Sequence, residues 1–176
     1  VDQINFENGQ KLDDAAPVVK KFKNAKQLIL ALGTIGDGLD KTVAELFKEK
    51  KAIKALALEE VAVTAMFEFT NFVLSHIDEI ATDHGLQASS PIYPGHDDFD
   101  ISQQRVIHDL AGGEDIAMKV LETGMLYPAK SASMVFGLGK HMPRWDRKED
   151  CETCKARERC RFRSADQLKN SNEGAA

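Results

Sequence analysis

Three cysteines, the only ones in the chain, fall within ten residues: Cys151-Glu152-Thr153-Cys154, five further residues, then Cys160. Two thiolates in a C-x-x-C turn reach one metal ion, and a third completes a face of a tetrahedral site. The spacing points to zinc or an iron–sulfur cluster held by Cys151, Cys154 and Cys160. A fourth ligand would come from elsewhere, His141 being the nearest histidine upstream. The competing readings are a disulfide with one odd thiol, or an idle exposed C-x-x-C. The neighbourhood is basic, with Arg144, Arg147, Lys148, Lys155, Arg157, Arg159, Arg161 and Arg163. Such a patch lowers thiol pKa values and balances an anionic cluster, holds single strands as zinc knuckles do, or simply faces solvent.

Two loops add to this. In Pro91-Ile92-Tyr93-Pro94-Gly95-His96-Asp97, two prolines and a glycine enforce an extended backbone. Main-chain N–H and C=O groups that no helix or ladder uses can grip an adenine edge or an amino-acid carboxylate; the bland reading is a turn. The second loop, residues 125–137, brings Tyr127 and Lys130 to the start of a strand. Ser131 and Ser133 alternate onto one side of it, and Phe136-Gly137 ends it. The Ser–Lys neighbours suggest a nucleophile, but no histidine–carboxylate partner is placed by spacing, so covalent catalysis is not expected. His76 and His84 are too far apart to share a metal and read as helix-end residues.

The elements that must position these residues follow from periodicity. Residues 1–8 alternate loosely and run into the turn signal Asn8-Gly9. Residues 15–25 suit a helix with Pro17 in its first turn. Residues 27–32 (Gln-Leu-Ile-Leu-Ala-Leu) read as a buried strand, and Leu39, Val43, Leu46 and Phe47 form one helical stripe. The longest helix spans 52–82 and is apolar around most of its circumference, which places it in the core or in a homodimer interface. A short helix over 102–110, N-capped by Ser102, precedes strands at 118–122 and 131–137. The expected fold is α+β: a mostly antiparallel sheet containing 27–32, 118–122 and 131–137, with long helices packed on it. One domain covers 1–140, a Cys-rich appendage 141–165, and a disordered polar end 166–176. The formal net charge of −5 argues against general nucleic-acid binding. No apolar stretch is uncharged enough to span a bilayer, and no secretory segment opens the chain. Sparse cysteines without a leader imply the cytoplasm.

The two loops, taken in order, resemble a family. Residues 27–139, about two-thirds of the chain, resemble the activation domain of cobalamin-dependent methionine synthase, and most closely its free-standing bacterial counterparts. The resemblance rests on Leu32-Gly33-Thr34-Ile35-Gly36 with its helices, on Pro94-Gly95-His96-Asp97-Asp98-Phe99, and on the run from Glu122-Thr123-Gly124-Met125 through Leu126-Tyr127-Pro128-Ala129 to Lys130-Ser131-Ala132-Ser133. The Cys-x-x-Cys…Cys-x-Phe-Arg end is similar to that of some free-standing members. The resemblance implies a module that binds S-adenosylmethionine and docks on a corrinoid-binding protein or methionine synthase modules. An electron from a flavodoxin or ferredoxin, and a methyl group from S-adenosylmethionine, would restore the partner's cobalamin. It assigns the ligand to Tyr93, Pro94, Gly95, His96, Tyr127, Ser131, Ser133, Phe136 and Gly137. An iron–sulfur cluster at the cysteines would bring the electron into the same chain. Pro91 stands where the long enzyme has an arginine, His96 replaces a tyrosine, and Met134 a glycine. The first change removes a guanidinium suited to the donor's carboxylate. The alternative is a non-catalytic interaction module with a structural zinc site.

Overall fold

A computed structural model describes residues 4–5, 9, 11–13, 15–96, 99–154 and 157–160. The polar end 166–176 and residues 161–165 of the appendage lie outside the described residues. Near the start, β1 (Ile4–Asn5) pairs antiparallel with β2 (Lys11–Leu12), and Gly9 adopts a left-handed φ of +84° between them. A short helix, α1 (Ala16–Lys21), carries its proline in the first turn, where a missing N–H costs nothing.

The main sheet is built on β3 (Gln27–Thr34). Helix α2 (Gly38–Lys48) and the 32-residue helix α3 (Ala52–Asp83) follow, then a two-residue strand, β4 (Gln87–Ala88). After α4 (Gln103–Leu110) come β5 (Lys119–Val120), β6 (Leu126–Tyr127) and β7 (Ser131–Gly139). Strand β7 is central in the order β3-β7-β4, antiparallel to both neighbours, in register from Gln27↔Leu138 to Thr34↔Ser131. The α+β expectation holds at this level: antiparallel sheets with several helices.

Alternation along the strands divides the core. On one face Leu28, Leu30, Leu32 and Val135 pack with Val18, Phe22, Phe99 and Ile107, from α1, α4 and the loops beside them. On the other, Ile29, Ala31, Met134, Phe136 and Leu138 pack against Leu74, Ile77 and Ala81 of α3. Close approach needs glycine on both sides. A Cβ on Gly33 would overlap the Phe69 ring of α3, and one on Gly137 would come within 2.8 Å of Phe22.

One expected strand is placed differently. Residues 118–122 do not join the main sheet. Lys119–Val120 pairs instead with Leu126–Tyr127 as a separate two-stranded hairpin. The cause is local: Gly124, at φ +84°, donates to the Leu121 carbonyl at 2.9 Å, and Leu121 N–H donates to Met125 O at 2.8 Å. That turn closes the hairpin on itself. Residues 142–146 of the expected appendage pack on the main body. Met142 enters the first cluster, Trp145 lies against the second, and Trp145 N–H donates to Ala88 O at 3.1 Å. No helix among the described residues is long and apolar enough to cross a membrane.

Candidate functional site

The loop after β4 is laced to the central strand before it turns outward. Ser89 N–H donates to Gly137 O (3.0 Å), Gly137 N–H to Ser89 Oγ (3.1 Å), and Ile92 and Val135 exchange both backbone bonds at 3.0 Å. The backbone around Ile92 is therefore used by a ladder, contrary to the open loop expected from its prolines. Beyond it the chain reverses: His96 N–H donates to Tyr93 O (3.0 Å) and Gly95 N–H to Phe99 O (2.8 Å), with Gly95 at φ +81°. Gly95 and His96 stay exposed, and Pro94 is half-buried. Tyr93 packs against the α3-side core, its ring edge-on to His96. Burial, and secondarily the negative Asp150, push its hydroxyl up to about 12, so it is neutral and no base at physiological pH.

The hairpin β5–β6 meets this loop at one side chain. A Cβ on Gly95 would lie 3.0 Å from Ile101 Cδ1, and one on Gly124 2.9 Å from Ile101 Cγ1. The Tyr93–His96 turn and the hairpin that carries Tyr127 thus flank Ile101 from two sides. Ser102 is the N-cap of α4 as expected, but its side chain caps no helical N–H; instead Asp100 Oδ1, on the other side of Ile101, accepts the Ser102 N–H at 2.7 Å.

The remaining candidates of the second loop have other partners. Tyr127 donates its hydroxyl to Asp37 Oδ2 at 2.9 Å; hydrogen bonds from Lys41 and Tyr127 lower the Asp37 carboxyl, and that carboxylate raises the Tyr127 hydroxyl. Lys130 bridges Asp40 of α2 (3.0 Å) and Glu59 of α3 (2.8 Å). Ser131 Oγ lies 2.7 Å from Pro128 O and 2.8 Å from Thr34 Oγ1. Ser133 is buried and accepts Gln104 Nε2 at 2.6 Å, on the α4 face. Gly137 faces Phe22 on that same side, whereas Phe136 packs beside α3. The pleat puts the sheet between Phe136 and the pair Ser133 and Gly137, so these three do not line one pocket.

The cysteines sit around α5 (Arg147–Thr153), whose N-cap Asp146 accepts the N–H groups of Lys148 (2.7 Å) and Glu149 (3.1 Å). Cys151 is half-buried in the last turn, Cys154 is exposed at the C-cap, and Cys160 follows a short 3-10 turn, Arg157–Arg159. All three are free thiols. Among the described residues, no three His, Cys, Asp or Glu side chains stand together closely enough to hold a metal ion. As placed, the trio is therefore not an assembled ligand set, and His141 is exposed. The helix itself is tied to the first loop: Ser90 Oγ donates to Asp150 Oδ1 at 2.8 Å.

Three contributors have no signal in the sequence. Lys21 donates its ammonium to Pro91 O at 3.1 Å across seventy residues. Ile101 is the shared wall of both loops, and Asp150 links the cysteine helix to Ser90. Each depends on contacts between segments with no common pattern. No family model matches the sequence, and no curated protein matches it.

Proposed function

We propose that this chain is an S-adenosylmethionine-binding module that supports reductive reactivation of a corrinoid protein, such as a split methionine synthase or a corrinoid methyltransferase. The observation that carries the reading is the convergence at Ile101 of the two loops whose residues resemble the activation-domain family. The ligand's place is along exposed Gly95 and His96, with Tyr93 as an apolar backing and the 121–127 hairpin opposite. Lys21 stands beside Pro91 and supplies a cation where the family's arginine is missing. The methyl group belongs to S-adenosylmethionine and the cobalt chemistry to the partner's cobalamin. This chain binds and orients the donor. Cys151, Cys154 and Cys160 are the residues that would hold zinc or an iron–sulfur cluster, and no step of the proposal runs through it.

Calorimetry with S-adenosylmethionine tests the reading. Binding is expected in the wild type, weakened by Lys21→Met and abolished by Gly95→Val, which strains a left-handed position and presses on Ile101. Absence of binding to the wild type overturns the assignment of the ligand. Capture of a cobalamin protein from native extract tests the partner, and elemental analysis of anaerobically purified protein tests the metal.

A second reading, a non-catalytic interaction module, is favoured by the way the 142–151 segment clips onto β4 and Ser90 as a structural strap. Partner binding unchanged by Gly95→Val and Phe136→Leu, with no S-adenosylmethionine heat, would decide for it.

A further inference from the structure

The first two-thirds of α3 leaves a face bare on the side away from α2 and the sheet. While Ala55 and Ala62 are fully buried, Ile53 is 86 % exposed, Val61 59 % and Phe72 67 %. At 100° per residue, Ile53, Ala57, Val61, Thr64, Ala65, Glu68 and Phe72 fall within one third of the circumference. The middle of this face is small-residued and holds an open depression of about 380 Å³ lined by Glu60, Val61, Thr64 and Ala65. Bulky apolar side chains stand at both ends.

The charge along α3 says what covers it. There is no acidic residue in the first turn and no basic residue in the last. Instead Lys50 and Lys54 stand at the N-terminal end, where Lys51 is paired with Glu49 and the acidic Glu59 and Glu60 follow two turns on. Glu68, Glu79 and Asp83 lie toward the C-terminal end, where Asp78 is paired with Arg144. Both ends carry the sign that the helix dipole disfavours. A second α3 running antiparallel reverses this arrangement, setting each basic end beside an acidic one and opposing the two dipoles.

We propose that the chain forms a two-fold dimer through this face of α3, with the helices antiparallel and centred between Ala62 and Val63. In that alignment Ile53 of one copy is level with Phe72 of the other, Val61 with Thr64, and Lys54 is within one turn of Glu68. The small central residues let the backbones approach while the large ends pack over one another. Such an interface is isologous, as a two-fold axis requires. It is independent of the S-adenosylmethionine reading.

Sedimentation equilibrium on the full chain tests it. The expected particle is twice the 19.5 kDa chain mass at micromolar concentration. Val61→Lys, at an exposed position that leaves the monomer fold intact by circular dichroism, is expected to weaken dimerisation by about tenfold or more, or 1.4 kcal/mol per decade. Lys54→Glu is expected to weaken it, and Lys54→Glu with Glu68→Lys to restore it. A wild type that stays monomeric overturns the proposal, whatever other protein then covers the face. So does a dimer indifferent to Val61→Lys, and failure of the charge swap to rescue overturns the antiparallel register.

Discussion

Lys130→Met tests how the helical hairpin is held to the sheet. Lys130 immediately precedes β7, and its ammonium bridges α2 through Asp40 and α3 through Glu59. Its side chain is 14 % exposed, and those of the two carboxylates are 26 % and 40 % exposed. A fully exposed pair contributes about 0–1 kcal/mol, and removing one partner of a fully buried pair costs about 3–5 kcal/mol. Two half-screened carboxylates sharing one nearly enclosed lysine fall between, at about 1–2 kcal/mol. At this chain length, about 2–4 °C per kcal/mol converts that to a fall in Tm of about 2–8 °C. Urea and thermal unfolding at pH 7 measure it. The hydrogen bond from Lys130 to Glu59 raises the lysine pKa above its usual 10.5, with burial opposing and Asp40 assisting. A group raised on folding contributes fully below its unfolded pKa and loses its contribution as pH rises through the folded value. The penalty of Lys130→Met should therefore stay level from pH 7 to pH 10 and shrink above 10.5. A double-mutant cycle with Glu59→Gln should return a favourable coupling. A penalty below about 0.5 kcal/mol at pH 7, the scatter of neutral surface changes, would refute the bridge.

Two further perturbations probe the frame around the site. Gly33→Val would drive its side chain into the Phe69 ring, and overpacking of this kind costs about 1–3 kcal/mol. The companion change Phe69→Ala should recover part of that loss in urea unfolding, and strict additivity of the two would show that they do not meet. His108 is buried with Nδ1 3.0 Å from Asp109 Oδ1 and Nε2 3.0 Å from Met118 O, two acceptors that together suit the doubly protonated ring. Burial lowers its pKa, but these hydrogen bonds outweigh it, and the net direction is upward from 6.5. Stability from His108 is then complete below pH 6.5 and lost as pH rises through the folded value. Stability curves from pH 5 to 9 should show this loss in the wild type and not in His108→Gln. An NMR titration placing the ring below 6.5 would contradict it.

The elements with long, regular patterns are legible in the residues alone. The 27–32 strand, the stripe after Gly38, the helix over 52–82 and the strand at 131–137 all occur, within a residue or two of their expected ends. Strands β4 and β6 have no such signal. Two residues carry no periodicity, and each is a strand only because a neighbouring edge pairs with it. The departure of 118–122 from the main sheet has the same origin, since nothing in residues 118–122 records which partner strand will accept them.

The same division runs through the candidate site. Sequence by itself marked the Pro-Gly turn at Gly95 and the cysteine trio, because glycine φ and thiolate chemistry are properties of residue type and near neighbours. It also set Ser131 and Ser133 on one side of a strand, a consequence of the two-residue repeat, whereas Phe136, grouped with them at one ligand by resemblance, packs on the other face of the sheet. Tertiary structure alone decided that Ile101 joins the two turns, that Lys21 reaches Pro91, that Asp150 holds the cysteine helix to Ser90, and that the bare side of α3 lies opposite α2. These depend on which distant segments are pressed together. That choice is made by the packing of the whole core, and a local pattern does not encode it.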